Sequence, residues 1–214
     1  MGRREWGIRI DHVIYAVEDL DAAADRFRVE FGLDSIAGGE HPGWGTANRI
    51  VPLGREYLEL IAVVDRDMAA ASDFGRPVLE AVANGRPLVG WMVQPHDIHC
   101  VARRLGLDVV QGSRTRPDGS TLTWQLAGVA PARASDALPI FIQWDAAAGS
   151  HPGAAAAQHA SRPHGFAWIE IGADEHALRD WLGDHDLPLR LVSAEPPGLT
   201  AVAIGTDAGE IVLR

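Results

Sequence analysis

The chain has one cysteine and no lysine among its 214 residues. With Cys100 alone there can be no intrachain disulfide framework, no four-cysteine zinc site and no redox pair, and the expected compartment is a reducing, cytoplasmic one. All 19 basic residues are arginine, which fits the codon usage of a G/C-rich bacterial genome and carries no mechanism. They are scattered and outnumbered by 29 acidic residues, for a net charge of −10. A nucleic-acid partner, which requires basic residues gathered on one face, is not expected. No stretch of roughly eighteen uncharged apolar residues occurs, so no membrane span is expected. Arg9 and Asp11 interrupt the apolar stretch behind the N-terminal arginines, which argues against a cleaved signal. Also missing are a Gly-x-Ser-x-Gly elbow, a phosphate loop ending in Lys and a strand-linked Gly-x-Gly-x-x-Gly.

What the chain does contain is a recurring order of elements. Residues 8–17 alternate as a strand, with Ile8, Ile10, His12, Ile14 and Ala16 on one face. Asp19 then opens a helix whose stripe of Leu20, Ala23, Ala24 and Phe27 ends at Gly32. A short strand at 35–37, a glycine-rich segment and strands at 48–53 and 57–63 complete a βαβββ unit over 8–64. A connector at 65–87, helical around 77–83, leads to a second unit at 88–145 with strands at 88–93, 108–112, 120–127 and 138–144 and a helix at 97–105. A loop at 146–164 precedes a third βαβββ-like unit at 165–214. Such an internal repeat has to be recognised before any site is assigned.

Two polar residues stand out in these apolar strands, His12 in the first and Glu59 within Tyr57-Leu-Glu-Leu-Ile. A lone strand histidine is commonly a hydrogen-bonded core residue. A carboxylate amid aliphatic neighbours, however, is almost never buried unpaired. If the sheet curls, the two residues face each other, an arrangement that suits a divalent metal such as Zn, Fe, Mn or Ni, or an acid/base pair without metal. The segment His41-Pro-Gly-Trp-Gly-Thr-Ala-Asn48 offers close backbone approach, a stacking surface at Trp44 and hydrogen-bonding groups at Thr46 and Asn48. Its plainer reading is a turn whose Trp plugs the core. Gln143 holds in the second unit the place of Glu59 in the first; it either meets a ligand or is satisfied by backbone. His151 and His164 in the following loop either cover the same cavity or are solvated. Arg114 and Arg116 flank a hairpin and could meet an anionic substrate, though their plainer reading is as surface residues, and Cys100 reads as a small hydrophobe in its helix.

Taken together, the βαβββ order, the opening Ile-Asp-His12-Val-Ile-Tyr-Ala-Val, the His41–Asn48 segment and the closing Tyr-Leu-Glu59-Leu-Ile resemble the vicinal oxygen chelate superfamily, in particular its glyoxalase-like domain proteins. The resemblance implies an α+β fold in which repeated βαβββ modules pair into a curved mixed β-sheet cup with helices on the outside. It implies a divalent metal held by His12, Glu59 and Gln143. The fourth ligand position falls, with the helices aligned, on Gly90, which has no side chain. It further implies a lyase, isomerase or dioxygenase acting on a small oxygenated organic molecule, with His12 and Glu59 catalytic and His41, Trp44, Asn48, Gln143 and His151 around the substrate. The alternative is a non-catalytic sequestering protein of the bleomycin-resistance type. The third unit is expected either to pair with its counterpart in a homodimer or to cover the back of the second module.

Overall fold

In the computed structural model, which describes residues 7–116, 118–135, 137–145 and 151–214, the run containing His12 is strand β1 (Arg9–Ala16). Helix α1 (Leu20–Phe31) follows it, opened by Asp19, whose carboxylate accepts from Ala22 N at 2.7 Å, and closed by Gly32 in the left-handed region at φ 63°. Its buried residues are Ala23 and Phe27. Strands β2 (Ile36–His41), β3 (Thr46–Pro52) and β4 (Tyr57–Val63) complete the first module. The connector holds two helices, α2 (Arg66–Ala71) and α3 (Gly75–Asn84), where the pattern predicts one. The second module consists of β5 (Leu88–Gln94), α4 (Ile98–Leu105), β6 (Val109–Thr115), β7 (Thr121–Ala127), the short helix α5 (Val129–Ala134) and β8 (Ile140–Trp144).

The expected curved mixed sheet is present, and it curls far enough to close. Its eight strands run β1-β4-β3-β2-β6-β7-β8-β5 around a barrel, with β1–β4 and β5–β8 parallel and the other pairs antiparallel. One joint between the modules is the β1–β5 pair, in which His12 lies opposite Met92 and Ile14 opposite Gly90. The other is β2–β6, with Glu40 opposite Thr115. Gly39 is needed there, because a Cβ on it would stand 2.0 Å from the Thr115 carbonyl oxygen. The two-residue period sends Val13 and Tyr15 outward, where Tyr15 meets Phe27 edge-on at 5.5 Å, and His12 and Ile14 inward.

The third unit forms its own sheet. Strands β9 (Pro163–Gly172), β10 (Leu189–Val192), β11 (Gly198–Thr206) and β12 (Gly209–Leu213) lie in the order β10-β9-β11-β12, with helix α6 (Glu175–Leu182) after β9. Ile169, Leu178, Leu199 and Val202 join one buried cluster with Trp91, Val93 and Phe141 of the barrel. Trp181 stands 5.4 Å from the Phe141 ring and donates from Nε1 to Pro139 O at 2.9 Å, while Arg104 of α4 donates to the carbonyls of Asp180 and Trp181. The unit therefore lies against the back of the second module in the same chain. It also reaches the first module, since Glu56 accepts from Phe166 N at 2.6 Å. The first residues of the expected loop, 146–150, lie outside the described residues. Among the described residues no helix is long and apolar enough to cross a membrane. Trp181→Ala is expected to cost about 3–5 kcal/mol, read from the denaturant midpoint, with barrel and third unit unfolding in one transition.

Candidate functional site

Because β1 and β4 are neighbouring parallel strands, with His12 beside Tyr57 and Ile14 beside Glu59, the histidine and the carboxylate meet inside the barrel. His12 Nε2 lies 3.5 Å from Glu59 Oε2, and His41 Nε2 lies 3.7 Å from Glu59 Oε1. Asn48 Nδ2 donates to that same Oε1 and is 3.4 Å from His41 Nε2. The amide is oriented from its other end, where Arg114 Nη1 donates to Asn48 Oδ1 at 3.0 Å. His41 Nδ1 faces Thr46 Oγ1 at 3.0 Å. Burial pushes the His41 imidazole down from its ordinary 6.5 to about 4; Glu59 opposes this, while Arg114 and His12 add to it. His41 is thus neutral at pH 7.

Behind His12 stands a second carboxylate. Asp11 is fully buried, and its Oδ1 lies 2.7 Å from His12 Nδ1. The β1–β5 register shifts between Ile10 and His12, the kind of irregularity that re-aims side chains. Asp11 Oδ2 accepts from Trp144 Nε1 and meets His151 Nε2, each at 3.0 Å. Gly153 N donates to His151 Nδ1 at 3.1 Å, so the hydrogen of that ring sits on Nε2 and points at Asp11. Burial works to raise the Asp11 carboxyl, but the hydrogen bonds and charges of His12 and His151 hold it well below the usual carboxylate range. Asp11 therefore takes the Nδ1 hydrogen of His12 and leaves Nε2 facing Glu59. Tyr57 stacks on the His12 ring at 4.4 Å, its phenol pushed well up by burial and by Glu59 and Asp11.

Glu59 lies where two cavities meet. A chamber of about 30 Å³ is lined by His12, Asn48, Tyr57, Arg114, Trp124 and Trp144, and a larger cavity of about 350 Å³ lies among Ile14, Ile61, Val78, Val89 and Ile140; both share His41, Trp44, Glu59 and Met92. Gly198 and Leu199 bring the third unit into the larger wall, and Gly90 leaves open space there. Trp44 stacks between Phe74 at 4.1 Å and His41 at 5.0 Å, and Trp124 and Trp144 continue the aromatic wall.

The structure thus gathers His12, Glu59, His41, Trp44 and Asn48 in one place. Gln143 is a correction. On β8 it is Ile142 and Trp144 that face inward, while the Gln143 Oε1 accepts from Ile98 N at 2.9 Å and caps α4 from outside the barrel. His151 does not line either cavity; it braces Asp11. His164 pairs with Asp207 at 3.0 Å on the third unit, away from the site. Cys100 is not a plain hydrophobe either: its thiol donates to Asp97 Oδ2 at 3.0 Å. The implied metal set is not assembled. Gln143 is turned away, Gly90 has no side chain, the inward residue opposite His12 is the thioether of Met92, and Glu59 Oε1 is engaged by Asn48. Among the described residues no three His, Cys, Asp or Glu side chains form a group able to hold a metal ion. Sequence reasoning passed over Asp11 and set Arg114 aside as a surface residue. The former was signalled by its place in an apolar run, the latter by its even spacing from Gly112 along a strand.

The paired βαβββ modules of this barrel fit the vicinal oxygen chelate superfamily that the sequence resembles. The Glyoxalase-like domain family matches residues 10–184, and the chain belongs to it. A hypothetical protein from Staphylococcus aureus shares the fold over 89% of this chain and 88% of its own, with a TM-score of 0.67 at 17% identity. A variant of Streptomyces coelicolor methylmalonyl-CoA epimerase in complex with 2-nitronate-propionyl-CoA aligns over 67% of this chain and 96% of its own, with a TM-score of 0.48 at 18% identity. A hypothetical protein from Bacillus halodurans aligns over 64% and 93%, with a TM-score of 0.44 at 12% identity. None of the curated proteins matches the chain.

The neutral His41 has a consequence for stability. The unfolded chain binds this proton below pH 6.5 and the folded chain only near 4, so stability is lost as pH falls through that window, by up to about 3 kcal/mol. Urea denaturation at about pH 7.5 and about pH 4.5 is expected to show this slope in the native protein and a flatter one in His41→Asn.

Proposed function

We propose that the protein is an enzyme of isomerase or lyase type that moves a proton on a small oxygenated organic molecule. The observation that carries this reading is the position of Glu59 Oε2. It is the carboxylate oxygen that Asn48 does not hold, it lies 3.5 Å from His12 Nε2, and its residue lines both the chamber and the larger cavity. A carboxylate there can take a proton from a carbon next to a carbonyl, and His12, its tautomer fixed by Asp11, can relay a proton at Nε2. Tyr57 stays a phenol, and the neutral His41 offers no competing charge. The chemistry is assigned to side chains because, among the described residues, the second module lines the chamber with Met92, Arg114, Trp124, Ile142 and Trp144, of which Met92 alone offers a metal-ligating atom, a thioether.

The second reading, a sequestering protein without chemistry, is favoured by the aromatic wall of Phe74, Trp44, Trp124 and Trp144. The two separate in deuterium oxide. Small 2-oxo acids, 2-hydroxy acids and 1,3-dicarbonyl compounds are incubated with the protein and followed by proton NMR. The proton-transfer reading expects protein-dependent loss of a C–H signal from at least one of them, slowed about 10²–10⁴-fold in Glu59→Gln. Compounds that bind and never exchange would leave the sequestering reading.

A further inference from the structure

Arg114 reads in sequence as a surface residue beside a hairpin, yet the structure holds it at 5% exposure, on the inward face of β6 and in the wall of the smaller chamber. A guanidinium carries five N–H donors. Among the described residues its side-chain hydrogen bond is the one from Nη1 to Asn48 Oδ1; its Nε is buried with no partner, and no carboxylate lies within 4.0 Å of it. Buried arginines are ordinarily paired with an anion, since neither a charge nor an N–H tolerates the loss of water unanswered. The strands around it leave room for this placement. A Cβ on Gly38 would stand 1.9 Å from Asn48 Oδ1 and 2.7 Å from Arg114 Nη1, so β2 is bare where the pair crosses it. Gly112, two residues before Arg114, makes space for Trp124, whose indole Nε1 would lie 2.3 Å from a Cβ there.

We propose that Arg114 is the anion-binding residue of the chamber and that the ligand is a monocarboxylate with an apolar body. The carboxylate sits against the guanidinium in the chamber of about 30 Å³, and the body lies in the cavity of about 350 Å³ among Ile14, Ile61, Val78, Val89 and Ile140. The chamber has room for about two water-sized groups, which suits the oxygens of a planar carboxylate. A dianionic phosphate would bring its second charge up against Glu59, and among the described residues lining the chamber Arg114 is the one arginine. Asn48 spans from Arg114 to Glu59, so anion site and base stand one amide side chain apart. This assignment rests on the reading of the barrel interior as a substrate site, and its test is a binding measurement that needs no turnover.

Straight-chain carboxylates from butanoate to decanoate, and their matching amides, are titrated into the protein by calorimetry and by the fluorescence of Trp44, Trp124 and Trp144. At least one carboxylate is expected to bind about tenfold or more tightly than its amide. Arg114→Gln, which can still donate to Asn48, is expected to erase that preference by weakening the carboxylate far more than its amide. Arg114→Lys keeps the charge without the planar fork and is expected to weaken carboxylate binding alone, by about threefold or more. This second variant decides the matter if the first does not fold. Equal binding of every carboxylate and its amide by the native protein, or unchanged carboxylate affinity in either variant, overturns the assignment. Glu59→Gln is expected to keep or sharpen the preference. An intact carboxylate preference without proton exchange would therefore remove the proton-transfer reading and leave this one standing, and the reverse result would remove this one.

Discussion

A carboxylate shut away from water must have its oxygens occupied, and in this barrel that requirement falls on Asp11. Its Oδ1 meets His12, and its Oδ2 meets Trp144 and His151, so β1, β8 and the segment after β8 are all held to one group. Withdrawing a donor would leave a buried charge partly unanswered, which is far more costly than losing an ordinary hydrogen bond. The apolar residues make the barrel stable; Asp11 makes its interior specific.

From Asp11 the ordering passes along the floor of the site. His12 receives its tautomer from Asp11 and presents Nε2 to Glu59; Glu59 is held by Asn48, and Asn48 by Arg114. The line starts on β1 of the first module, runs through β4 and β3, and ends on β6 of the second. Neither βαβββ unit has the site by itself, which is why the pairing of modules matters for chemistry as well as for burying sheets. The third unit adds little to that line, but through Leu199 it supplies part of the wall around it.

How far this was legible in the sequence depends on what kind of signal each residue gives. Periodicity and turn residues were sufficient for β1 and β4, for the Asp19 and Gly32 ends of α1 and for the inward direction of His12 and Glu59, because those strands are long and alternate cleanly. Gln143 failed on parity: on a strand of five residues a reading one position off reverses the faces, and the outward Gln143 sits between the inward Ile142 and Trp144. Arg114 failed on length, since β6 runs to Thr115 and the strand pattern fades after residue 112. Asp11 was hidden by its neighbour. Two adjacent strand residues normally point apart, and only the register shift beside them brings carboxylate and imidazole together.

The two joints of the barrel are unequal. Pairing between β1 and β5 runs along most of both strands, whereas the register between β2 and β6, among the described residues, is the single pair of Glu40 and Thr115. Thermal breathing of such a hoop concentrates at the shorter weld, where a few broken contacts let the two modules hinge apart. Asn48, on the strand next to β2, and Arg114, on β6, face each other across that weld. Their hydrogen bond is therefore a tie between the two modules as well as an orienting contact, set beside the Glu40–Thr115 pair at the joint with the least backbone pairing.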